Sequence, residues 1–187
     1  MNDFHFNERK ATQLASAFIQ LSGGRLNYMK LIKLMYIADR EALLCWERPI
    51  SGDAYFALKH GPILSNVYTM ISDGQAPSES NFWFDYIKRD GKYEVSLFKP
   101  CPPDDLSQAE EEIIHAAFDK YGHFDKWKLV DHLHNVLPEW NDPGASSFPI
   151  SIGDILRAEG FSNKASSQVE AELESLCKAK SVFGAID

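Results

Sequence analysis

The chain has 187 residues, of which 44% are hydrophobic, and carries a net charge of −8. That length and apolar content suit one domain with a true core, burying roughly 70% of the surface its unfolded form exposes, and leave little room for disorder beyond the two ends. Net acidity disfavours nonspecific binding to nucleic acid, and no apolar run is long enough to cross a membrane.

The charge is uneven. Residues 1–60 hold eight Lys/Arg against six Asp/Glu, whereas residues 61–187 hold eleven against twenty-one. An acidic surface chiefly maintains solubility, and its complement is a positively charged partner. The three cysteines, Cys45, Cys101 and Cys177, stand singly, with no C-x-x-C pair. They indicate neither a zinc knuckle nor a disulfide framework. With a polar, partly acidic start in place of a leader, the expectation is a cytoplasmic protein.

Asn7 is placed to cap a first helix with Ala11, Leu14, Ala15 and Phe18 on one face, closed by Ser22-Gly23-Gly24. The spacing predicts a second helix over 27–45. Its apolar residues run almost around the cylinder, which marks it as buried on most sides. The narrow polar side holds Lys30, Lys33, Asp39, Arg40 and Glu41. After Pro49 and Gly52, residues 53–59 read as a short helical or irregular piece anchored by Tyr55, Phe56 and Leu58, with a turn at Gly61-Pro62. Ser65 could cap a short helix ending at Asp73-Gly74.

The period then changes. Residues 81–87 and 93–98 are rich in aromatic and branched side chains around Asp90-Gly91, the pattern of a β-hairpin. Pro100, Pro102 and Pro103 form a joint. Ser107 with Glu110 makes a capping box for a helix that closes at Tyr121-Gly122. Asp125 caps a helix through Leu137, with Trp127, Val130, Leu133 and Leu137 turned inward. Residues 138–148 read as a loop. Ser151 with Asp154 opens a short helix, and a last one covers about 163–180. The result is an α+β, mainly α-helical single domain with one small β-hairpin.

No nucleophile elbow or phosphate-cradling glycine loop is present, so no catalytic role is expected. His132 and His134 are two apart and diverge on a helix, which is poor spacing for a metal; no metal or cofactor is expected. Asp39, Arg40, Asp53, Lys59 and His60 gather around 52–62. They read either as a salt-bridged loop holding the buried helix or as one side of a charged groove. With Trp83 and Phe84, the hairpin also looks exposed.

Several stretches resemble the Panacea domain of SocA-like antitoxins. They are KLIKLMYIADR at 30–40, PISGD at 49–53 and ALKHGPILSNVY at 57–68. Leu106-Ser107 with Glu110, Tyr121-Gly122, residues 129–134 and Pro138-Glu139-Trp140 look like its later blocks, so the likeness covers about residues 10–160. Ile63 stands where that family has valine, and Leu64 where it commonly has proline. The resemblance implies a toxin–antitoxin system or a prophage association. It implies a cognate toxin protein held by direct contact, and delivery to a protease or its unfoldase in at least one relative. A phage-associated interaction protein without a toxin, or a small hydrolase-like enzyme, are the alternatives. The partner surface is expected around Lys30, Lys33 and Arg40, with Asp53, Tyr55, Lys59 and His60 from the adjoining loop and Trp83 as the next candidate.

Overall fold

A computed structural model describes residues 6–74 and 82–183. The first helix, α1 (Glu8–Leu21), begins where the Asn7 side chain accepts the Lys10 N–H. A short strand, β1 (Arg25–Asn27), leads directly into α2 (Tyr28–Trp46), whose N-cap is Asn27. Along α2, Leu31, Ile32, Leu34, Met35, Tyr36, Ala38, Ala42 and Leu43 are all buried. A helix apolar on most sides must be surrounded, and α2 is the element on which the rest assembles. Later helices α5 (Gln108–Tyr121) and α6 (Lys126–Val136) pack on it, as do α1 and the sheet strand β3 described next.

Residues 53–59, expected to be helical or irregular, instead supply β2 (Tyr55–Leu58), which turns at Lys59-His60 into β3 (Gly61–Leu64). Tyr55 pairs with Leu64 and Leu58 with Gly61. A third strand, β6 (Phe148–Ile150), joins the other edge of β2 and gives the order β3-β2-β6. The expected loop over 138–148 thus ends in a strand. Pro149 is tolerated there because β6 lies at an edge and pairs on one side only. From β3 the chain runs straight into α3 (Ser65–Asp73).

The predicted hairpin is present but shifted. Asn81 lies outside the described residues, and Phe82–Tyr86 form a one-turn helix, α4. Aromatic residues favour strands only weakly, and here tertiary contacts override that preference. The Glu8 carboxylate accepts the Trp83 N–H at 2.9 Å, fixing the start of α4 against α1. Strands β4 (Ile87–Asp90) and β5 (Glu94–Leu97) follow, and β5 also pairs with β1, giving the order β1-β5-β4. The single expected hairpin is therefore part of one of two small antiparallel sheets in a mainly helical α+β fold. The chain closes with α7 (Ile152–Ala158) and α8 (Asn163–Phe183). Both capping boxes, Ser107 with Glu110 and Ser151 with Asp154, form as their spacing predicts.

Candidate functional site

The polar edge of α2 does not form one continuous ridge. Lys30 Nζ donates to the Gly122 carbonyl at 2.6 Å, satisfying the C-terminal end of α5. Lys33, only 2% exposed, donates to the Pro62 carbonyl at 2.6 Å. Burial pushes its ammonium down to a pKa of about 7. Arg40 donates to both carboxylate oxygens of Glu139, at 2.8 and 3.2 Å, and also pairs with Glu159. Tyr36 Oη donates to the same Glu139 at 2.9 Å.

The 52–62 loop is held firmly, but not by salt bridges among its own charges. Asp39 accepts the backbone N–H groups of Ile50 and Ser51 at 3.0 and 2.9 Å, with the Ser51 and Tyr55 hydroxyls as further donors. Asp53 accepts the N–H groups of Ala54, Asn66 and Val67. Burial pushes each of these carboxyls up to a pKa of about 6, against the opposing pull of the hydrogen bonds. Arg40 finds its acids in Glu139 and Glu159, far along the chain. Sequence reasoning missed Glu139; its only signal was its place beside Trp140 in a block that resembles the Panacea domain.

Five of the eight expected partner residues are buried or ion-paired within the chain. Lys33, Asp53 and Tyr55 are buried, and Arg40 is tied into an ion pair. Trp83 is 2% exposed, because α4 turns its indole into the core. Lys30 is half-buried at the end of α5. Lys59 and His60 do stand exposed, on the turn between β2 and β3.

A different residue completes that corner. Trp127, expected to point inward, is 50% exposed and meets the His60 ring edge-on, with centroids 5.3 Å apart. The Lys126 ammonium lies 5.2 Å from the Tyr93 ring centre and 5.4 Å from that of Trp127. Tyr93 is 48% exposed. Lys59, His60, Lys126, Trp127 and Tyr93 thus form one cationic and aromatic face. Beside it lies a cavity of about 370 Å³, lined in part by Ile32, Lys33, Leu58, His60, Ile63 and Tyr68. Trp140 Nε1 donates to the carbonyl of the lining residue Leu58, and the His134 ring stacks on Trp140 at 3.8 Å. His132 turns away to pack near Tyr121 and Phe124. Among the described residues no three His, Cys, Asp or Glu side chains come together as metal ligands, and no helix is long and apolar enough to cross a membrane.

A buried framework carrying an exposed aromatic and cationic corner has the makings of a protein-binding module. The family model described as "Antitoxin SocA-like, Panacea domain" matches residues 31–141, more than half of the chain. The protein belongs to this family. An antitoxin-like role in general, with a protein such as a toxin as partner, follows from that membership. The matched segment runs from Leu31 within α2 to Asn141 and includes Asp39, Arg40, Asp53, Glu139 and most of the residues that line the cavity. No curated protein and no solved structure matches the chain.

Proposed function

We propose that this protein is an antitoxin that neutralises a cognate toxin protein by direct contact, without a catalytic step of its own. Family membership over 31–141 is the observation that carries the reading. The contact is assigned to the face of Lys59, His60, Trp127, Lys126 and Tyr93. Aromatic anchors concentrate binding energy because they exclude much water at little cost in rotamer freedom. Trp127 and Tyr93 are large aromatic side chains about half exposed on one surface, with lysines beside them. We place the encounter in the cytoplasm, a reading supported by three free cysteines.

Co-expression with the product of each adjacent gene tests the proposal. One neighbour should arrest growth when expressed alone, be silenced by this protein, and co-purify with it. Silencing with a stable toxin level means occlusion; silencing with a shortened toxin lifetime means delivery to a protease. Growth arrest that persists despite co-expression, for every neighbour, contradicts the antitoxin reading.

A further inference from the structure

The cavity beside Trp127 has a charge character opposite to that of the chain. Lys33, Lys59 and His60 line it, and no Asp or Glu does, although the chain as a whole carries −8. Its wall is otherwise mostly apolar, built from Met29, Ile32, Leu58, Ile63 and Tyr68 among others. Lys33 enters from α2 at the edge of β3. Among the described residues its ammonium has one acceptor, the Pro62 carbonyl, and it faces no carboxylate within ion-pair distance.

A buried lysine without a counter-ion is costly, and an apolar side chain of similar length would fill the same space. Clamping one carbonyl needs one of the three ammonium hydrogens. Gly61 packs closely against the end of the Lys33 side chain. A Cβ on Gly61 would stand 3.4 Å from Lys33 Nζ and 3.7 Å from His134 Nε2. His134 Nε2 is itself buried and has no hydrogen-bond partner among the described residues. Glycine at 61, with φ +93°, thus keeps a side chain out of the space that both nitrogens border. Burial holds the ammonium close to neutrality, and an arriving anion would restore its charge.

We propose that the cavity receives one acidic side chain of the partner protein, with Lys33 as its buried anchor and the apolar wall holding the residue next to it. This rests on reading the Trp127 face as the partner surface, because the cavity opens beside that face. Protein-bound acid is preferred over a free metabolite for the same reason. A charge-assisted hydrogen bond in so dry a place discriminates strongly against a neutral isostere.

The test titrates the full chain, followed by heteronuclear NMR, with two capped dipeptides: N-acetyl-Phe-Glu-amide and N-acetyl-Phe-Gln-amide. They differ in one charged group and share their shape. The Glu peptide should bind about tenfold tighter, with the largest shifts at Lys33, Gly61 and His134. Lys33→Met should abolish that preference while leaving the spectrum dispersed and folded. Equal binding of the two peptides, binding of neither, or a Glu preference that survives Lys33→Met overturns the proposal. Capture of the neighbour-encoded toxin is read separately. Intact capture without a Glu preference rejects the carboxylate receptor and retains the antitoxin reading; loss of capture with the Glu preference intact rejects the antitoxin reading alone.

Discussion

The Asp53 carboxylate accepts the Val67 N–H at 3.1 Å and so caps a helix that its own sequence leaves uncapped. The N-cap position of α3 holds Leu64, which makes no side-chain bond there. Asp53 supplies the missing acceptor from the start of the neighbouring strand and takes the Asn66 N–H as well. One residue thereby joins the loop after α2, the β2–β3 hairpin and α3.

Asp53→Ala should accordingly cost about 2–3 kcal/mol of unfolding free energy, because it strands several buried N–H groups at once. Chemical denaturation measures the loss. A change below half a kilocalorie would mean that water replaces the carboxylate without penalty.

Arg40→Ala should be more severe than Glu139→Ala. Removing Arg40 strands the fully buried Glu139 carboxylate with the Tyr36 hydroxyl, whereas removing Glu139 leaves the Arg40 guanidinium paired with Glu159. Deleting one member of a buried ion pair typically costs about 3–5 kcal/mol. Thermal melts of the two single variants and the double variant give the order, with the double close to Glu139→Ala if the two residues act as a unit.

Trp83→Ala should destabilise by about 3–5 kcal/mol, as for other large buried aromatics. Its effect on partner binding should track only the fraction folded. A specific loss of affinity at full folding would return Trp83 to the binding surface.

Lys33 gives a pH signature. Its pKa falls from 10.5 in the unfolded chain to about 7 in the folded one. Between those values the unfolded chain binds more protons, so stability rises with pH from about 7 toward 10, by at most about 1.4 kcal/mol per pH unit. The difference in unfolding free energy between wild type and Lys33→Met should therefore grow in favour of wild type across that window. At pH 6 the variant should be equal or more stable. A difference independent of pH would show that Lys33 stays charged in the fold.

The parts of the fold written in local pattern were legible. The apolar stripes of α2, the caps at Asn7 and Asp125 and both capping boxes lie within a few residues of what they organise. Strand β2 was missed because Pro62 sits in its partner strand, and proline counts against a strand unless the edge is known. Helix α4 was missed because its aromatic run has strand character and its fixing contact, Glu8, is 75 residues away. At the site, Lys59 and His60 were legible because they flank a Gly-Pro turn. The burial of Lys33 and the pairing of Arg40 with Glu139, 99 residues on, depend on tertiary packing. Trp127 continues the inward stripe of α6 on paper, yet it stands in the first turn, where that stripe reaches the rim and meets His60.

The most direct test of the account is calorimetric titration of the neighbour-encoded toxin into wild type and into Trp127→Ala, with a melting curve for each. Trp127 is half exposed, so its removal should leave the melt nearly unchanged, while a central aromatic anchor should cost about 2 kcal/mol of binding or more. Weakened capture, by about thirtyfold with an unchanged melt, is the predicted result. Full affinity in the Trp127→Ala variant contradicts the assignment of this face to the partner.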